Sequence, residues 1–135
     1  MSIFKNLVID WFFVRYAVVS CILLGIVYTG ALLFDWFYIF PHFDIPMHVF
    51  GGFLAGLIAL SFSVRGMNPF QKLLWLLLVT LVAGIGVEVI EWAFDQYGNL
   101  EVVLQETTRD TYTDILHDMI GGTIAFCVAY FLKKI

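Results

Sequence analysis

The sequence predicts an all-α fold: a polytopic membrane protein with four transmembrane helices in a compact bundle, one domain over residues 1–135. Three observations predict it. Hydrophobic residues make up 61% of the chain and charged ones 13%, and the mean hydropathy is +0.93, far from the balance of a soluble globular domain. A span takes about 20 apolar residues, so four spans and short connections consume nearly all of the 135 residues and leave no room for a soluble domain. A backbone crossing lipid must satisfy its own hydrogen bonds, and a barrel would need many more strands, so the apolar stretches are helices.

Span 1 is expected over about 11–35. Lys5 ahead of an apolar run imitates a secretory signal, but the run continues through Phe34 and ends without a small-residue cleavage motif, so it reads as a retained span. Met1 to Asp10 is expected to lie along the interface as a short amphipathic piece. Span 2, about 46–64, opens on Asp44 and Pro46, an N-terminal helix signature. The turn "RGMNP" then carries Gly66 and Asn68 as breakers and Pro69 as the start of span 3, about 69–95. "QYGNLEVVLQETTRD" is the long connection, of a length that is either functional or mobile, and it leads to span 4, about 111–132.

Cys21 and Cys127 both lie in apolar stretches and read as small packing residues rather than a disulfide framework. Trp11, Trp36, Tyr38, Trp75, Trp92 and Tyr97 are read as interface-belt aromatics. Lys5 and Arg15 flank the start of span 1, Arg65 and Lys72 bracket the second connection, and Lys133 and Lys134 end the chain. The first connection has no Lys or Arg, and the third has only Arg109 among several acids. The positive-inside rule therefore puts both termini and the "RGMNP" turn in the cytoplasm, with the two acidic connections facing outward.

That topology brings three polar sets to one level. Asp44 and His48 stand at i, i+4; Glu88, Glu91 and Asp95 at i, i+3, i+7; Asp114, His117 and Asp118 at i, i+3, i+4. Each set shares a face with small residues deeper in the span: Gly51, Gly52 and Ala55; Gly84; Gly121, Gly122 and Ala125. Small residues let membrane helices approach closely, as in "GGFLAG", where Gly52 and Gly56 form a GxxxG pair. The polar faces are thus expected to point into the bundle above a close-packed floor.

A carboxylate near the bilayer centre costs about 2.5–3.5 kcal/mol on insertion scales. With Arg109 the nearest fixed cation, the cluster has to protonate, stay hydrated or bind a cation. Mixed Asp, Glu and His donors suit a divalent metal, with Zn, Mn or Fe(II) ahead of Mg or Ca because two histidines are present. Metal-binding helix bundles use inward Glu and His at i, i+3 in the same way. On this reading Glu88, Glu91, Asp114 and His117 bind the metal, and His48 or Asp118 is a fifth ligand or the catalytic base.

Each residue also has a plainer reading. His48 or His117 alone is a hydrogen-bonded bundle histidine; Asp44, Asp95 and Asp110 are helix caps and solvated edges; the whole set is an interhelical hydrogen-bond network. The motifs HExxH, GxSxG, GxGxxG and the P-loop are absent from the sequence.

The series "DIPMHVFGGFLAG", "GVEVIEWAFD" and "RDTYTDILHDMIGGTIA" resembles the YjdF-like and VanZ-like group of small bacterial membrane proteins. The resemblance covers about the last two thirds of the chain through His48, Glu88, Glu91, Asp110, Thr111, Asp114, Asp118 and Gly121. It rests on a histidine opening one span, a Glu-rich end on the next and D-T-x-x-D-x-x-x-D-x-x-G-G/A opening the last, a moderately specific signature; His117 is carried by spacing alone. It implies a multi-helix membrane fold, the bacterial cell (inner) membrane and a cell-envelope setting. It supplies no reaction, although VanZ-type proteins are linked to glycopeptide resistance.

The expected function is a metal-dependent membrane hydrolase or transferase acting on a lipid or lipid-linked envelope substrate, its site facing the extracytoplasmic side. A bound metal would make a nucleophile of coordinated water at neutral pH. The alternatives are a cation or proton transporter, working as a homo-oligomer because four such helices enclose little pore, and a non-catalytic scaffold whose polar cluster locks the bundle. Transport calls for a polar path to the cytoplasm, whereas the inner halves of spans 2 to 4 offer only Ser61, Ser63, Thr80 and small residues. Membrane lipid is the expected partner, and no nucleic acid is.

Overall fold

A computed structural model of the protein describes residues 7–40, 42–97 and 108–133. Leu7–Ile9 forms a short strand, β1, and Asp10 then starts the first helix, α1 (Trp11–Leu33), its carboxylate accepting a hydrogen bond from Phe12 N at 3.0 Å. Beyond α1 the chain turns through Asp35, at φ 55°, into a single helical turn, α2 (Trp36–Ile39). Aromatic rings brace this corner edge to face, with Trp36 and Phe37 centred 5.6 and 5.5 Å from Phe43.

The second long helix, α3, covers Asp44–Ser61. It stops three residues earlier than the sequence predicts, because Phe62–Val64 leaves the helix as strand β2 and pairs antiparallel with β1, Leu7 opposite Val64 and Ile9 opposite Phe62. Asp10 N donates to Ser61 O at 2.9 Å and extends the same join. Within the piece expected to lie along the interface, Leu7–Ile9 is thus a paired strand. Met1 to Asn6 lie outside the described residues.

Gly66, at φ 87°, makes the turn that follows. Asn68 Oδ1 accepts from Gln71 N at 2.9 Å while Gln71 Oε1 accepts from Asn68 N at 3.0 Å, a reciprocal capping box that opens α4 (Pro69–Tyr97) with proline at its first position. The last helix, α5, covers Thr108–Lys133. Most of the long connection, residues 98–107, lies outside the described residues.

Helix α3 is the centre of the bundle, packing against α1, α4 and most extensively α5, while α4 also packs on α5. Side chains register the directions. Gly52 faces Asp118 and Gly56 faces Ala125, so α3 and α5 run parallel; Gly84 faces Asp118 and Thr80 faces Gly122, so α4 runs against them. Glycine makes the α3–α5 seam: a methyl at Gly52 would strike the Asp118 backbone, and one at Gly121 would strike Val49 O. Beneath the seam Leu57, Leu60, Leu76, Ala125 and Ala129 form a closed apolar core. Trp75 belongs to this packing rather than to an interface belt alone, since its indole N–H donates to Ala59 O at 3.0 Å.

The outside is apolar as well. Val18, Ile22 and Ile26 on α1, Leu78, Val82 and Ile85 on α4, and Leu116, Ile120 and Ile124 on α5 are all exposed. A soluble monomer rarely shows so continuous an apolar surface, whereas lipid solvates it. All four long helices have the length and apolarity to cross a membrane.

Candidate metal centre

Three helical stripes build the polar end of the bundle. Leu76, Thr80, Gly84 and Glu88 recur at every fourth position of α4 and are all buried, with Glu91 one turn further along. On α5 the buried positions are Asp114, Asp118, Gly121, Gly122, Ala125 and Ala129; on α3, His48 lies one turn above Gly52. The stripes meet where all three helices pack.

Asp118 sits at that junction. Its carboxylate lies between glycines of two helices, so that a methyl at Gly51 would be 3.8 Å from Oδ1 and one at Gly84 only 2.5 Å from Oδ2. Oδ1 faces His48 Nδ1 at 3.5 Å, and Oδ2 is buried with no hydrogen-bond partner among the described residues. His48 in turn joins Glu88 and Glu91, one ligand atom of each lying within 4.8 Å of the others.

A second gathering lies along the α3–α5 seam. Asp44, Asp110 and Asp114 each bring a carboxylate oxygen within 4.8 Å of the other two. His117 stands beside it, Nδ1 3.6 Å from Asp114 Oδ1, beyond hydrogen-bond range. Both of those atoms are buried without a hydrogen-bond partner among the described residues.

The sequence-predicted residues fall into two neighbouring groups, with Asp114 within electrostatic reach of both. Glu88 and Glu91 come together with His48; Asp114 stands with Asp44 and Asp110, with His117 at its side; Asp118 backs His48. Asp44 and Asp110 are the residues that the sequence reading placed at edges and caps. In fact Asp44 is the first residue of α3, whose cap position is Phe43 with no side-chain cap bond, and Asp110 lies in the first turn of α5. The signal was present in the spacing, since each is four residues from a deeper group on its own helix, His48 and Asp114. Asp95 is half-buried near the end of α4, outside both gatherings.

Electrostatics separates what the fold can hold unaided from what it cannot. Two unit charges 4.8 Å apart repel by about 3–4 kcal/mol at an effective dielectric of about 20. The parallel α3 and α5 present adjacent N-terminal ends, each worth about half a positive charge, and together these offset only about one of the three carboxylates. Arg109 is exposed. Of the three carboxylates, Asp44 and Asp110 are half-buried and reach water, whereas Asp114, like Glu88 and Asp118, is only 4% exposed and gets little help from it. Open surface grooves at Arg65, Gln71 and Trp75 and at Thr123, Cys127 and Phe131 lie toward the opposite end and carry no carboxylate or histidine.

Fold and site together define a class: a polytopic α-helical integral membrane protein with Asp, Glu and His groups converging at one end of its bundle. The family model described as Predicted membrane protein (DUF2238) matches residues 4–135, and the chain belongs to that family. No curated protein and no solved structure matches it.

Proposed function

We propose that the protein is a metal-dependent membrane enzyme, a hydrolase or transferase, whose divalent ion is held by His48, Glu88 and Glu91. The observation that carries this reading is the convergence of one nitrogen and two carboxylate ligand atoms from α3 and α4 within 4.8 Å of one another inside a membrane bundle. Three protein ligands with a fourth position left to water is the composition of a catalytic zinc site, and Mn or Fe(II) suits the same donors. Asp118 beside Nδ1 orients the His48 ring and leaves Nε2 for the ion, the usual arrangement behind a ligating histidine. Bound metal would lower the pKa of its water to supply a nucleophile.

A lipid or lipid-linked substrate fits the surroundings of the site. Helix α1 packs chiefly along α3, whereas α4 packs against α3 and α5, so the α4 side of the site is not covered by α1 to the same extent. Tyr28 of α1, which is exposed, and Glu91 of α4, which is half-buried, stand within electrostatic reach of each other. A substrate could enter sideways from the bilayer without passing the closed apolar floor. That floor also disfavours transport, since Leu57, Leu60, Leu76 and Ala125 continue it with no ionisable group.

This reading places the chain in the bacterial inner membrane, with both termini cytoplasmic, the site extracytoplasmic, and kinship to the YjdF-like and VanZ-like proteins of the cell envelope on the motifs quoted above. Metal analysis of purified protein tests it. Stoichiometric Zn, Mn or Fe in the wild type, lost in His48→Ala and Glu91→Ala, is the expected result. A metal-free wild type that stays folded at neutral pH would leave the polar cluster a structural lock and overturn the reading.

A further inference from the structure

We infer that Asp44, Asp110 and Asp114 form a second cation site, separate from the His48 group and suited to a hard divalent ion of the Mg, Ca or Mn class. Three carboxylate oxygens from two helices lie within 4.8 Å of one another. Proximity of acids would mean little by itself. The independent observation is Asp114, 4% exposed, whose Oδ1 has no hydrogen-bond partner among the described residues.

Helix dipoles account for Asp44 and Asp110, which lie in the first turns of α3 and α5. They do not account for Asp114. It stands a full turn deeper, where the dipole effect has faded, and its nearest cationic candidate, His117 Nδ1, lies 3.6 Å away and is itself buried without a hydrogen-bond partner. At that separation the two buried atoms are too far apart for a hydrogen bond.

Oxygen donors distinguish this site from the first. An all-carboxylate set attracts hard ions, which keep several waters when few protein ligands are offered, while the His48 group with its imidazole suits Zn, Mn or Fe. Asp44 and Asp110 are half-buried, so the ion would stand at the rim of the bundle with water-filled positions facing out. This site lies beside the first, with Asp114 within electrostatic reach of His48 and Glu91.

Equilibrium dialysis of the full chain in detergent micelles against Mn2+, with bound metal counted and the Mn2+ signal followed by electron paramagnetic resonance, tests the assignment. Two ions per chain are expected, with one lost in the Asp44→Asn/Asp110→Asn double variant and the other lost in His48→Gln. A double variant with wild-type stoichiometry and affinity overturns the second site and leaves the first. A chain that loses all its metal in the double variant but keeps it in His48→Gln does the reverse. Should the double variant fail to fold, Asp44→Asn alone, at the half-buried rim, is expected to weaken Mn2+ binding by at least about tenfold. Unchanged affinity in that variant overturns the site.

Discussion

Replacing Gly52 by alanine should destabilise the bundle, and the α3–α5 seam says by how much. The added methyl would lie 2.5 Å from the Asp118 carbonyl carbon and 2.6 Å from its Cα, where ordinary contact begins at 3.4 Å. What it meets is backbone, so no rotamer change relieves the overlap, and α3 and α5 would have to separate locally by about 1 Å. Overpacking of this kind costs about 1–3 kcal/mol. Better helix propensity returns at most about 1 kcal/mol, so a backbone overlap at the upper end of that range leaves a net loss of about 2 kcal/mol. Gly86→Ala is the control: nothing lies within 4 Å of its methyl, so it should gain about 0.5–1 kcal/mol from propensity alone. Unfolding in detergent micelles, followed by loss of helicity, reads both. The separation also carries Asp118 away from His48, now 3.5 Å apart, so metal affinity should fall along with stability. Equal or greater stability for Gly52→Ala, in step with Gly86→Ala, would refute the seam as described.

Two further outcomes follow from elements away from the site. Asn68→Ala removes the side-chain acceptor of the α4 capping box and should cost about 1 kcal/mol in the same unfolding assay, with Gln71→Ala costing less because it removes only the return bond; no change in either would sink the capping argument. A reporter fused after Ile135 should be active only in its cytoplasmic form, as the Lys and Arg distribution requires, and an active exported reporter would invert the topology.

Much of the architecture could be read from sequence because lipid simplifies the code. Long apolar runs broken by "RGMNP" and by the acidic connection have few structural solutions, and α1, α4 and α5 begin or end within a few residues of the expected limits. The strand pair could not be read. Leu7–Ile9 and Phe62–Val64 are three-residue, mostly apolar pieces continuous with the helices beside them, and they meet across more than fifty residues of chain. Periodicity has nothing to measure in segments so short. Within the site, the inward stripes were legible because spacing along one helix fixes a face. How the faces are rotated against one another was not, and that rotation sends Asp114 to Asp44 and Asp110 while Glu88 and Glu91 meet His48. Residue type misled in the same place, since an aspartate opening a helix looks the same as a cap or as a ligand.

The glycine seam and the acidic end are parts of one arrangement. Parallel helices held apart by larger side chains would leave Asp44 and Asp114 on separate faces, each with its own water. Gly52 and Gly121 bring the backbones of α3 and α5 into contact, and two turns above them Asp44 and Asp114 converge. Gly84 does the same on the third side, leaving room for Asp118 where a methyl would stand 2.5 Å from Oδ2. Close packing below therefore creates charge crowding above. A tight bundle alone does not require carboxylates at these positions, and since neither the exposed Arg109 nor the helix ends offset them in full, they have to protonate, stay hydrated or bind a cation. On the reading proposed above, a divalent cation would supply two units at once.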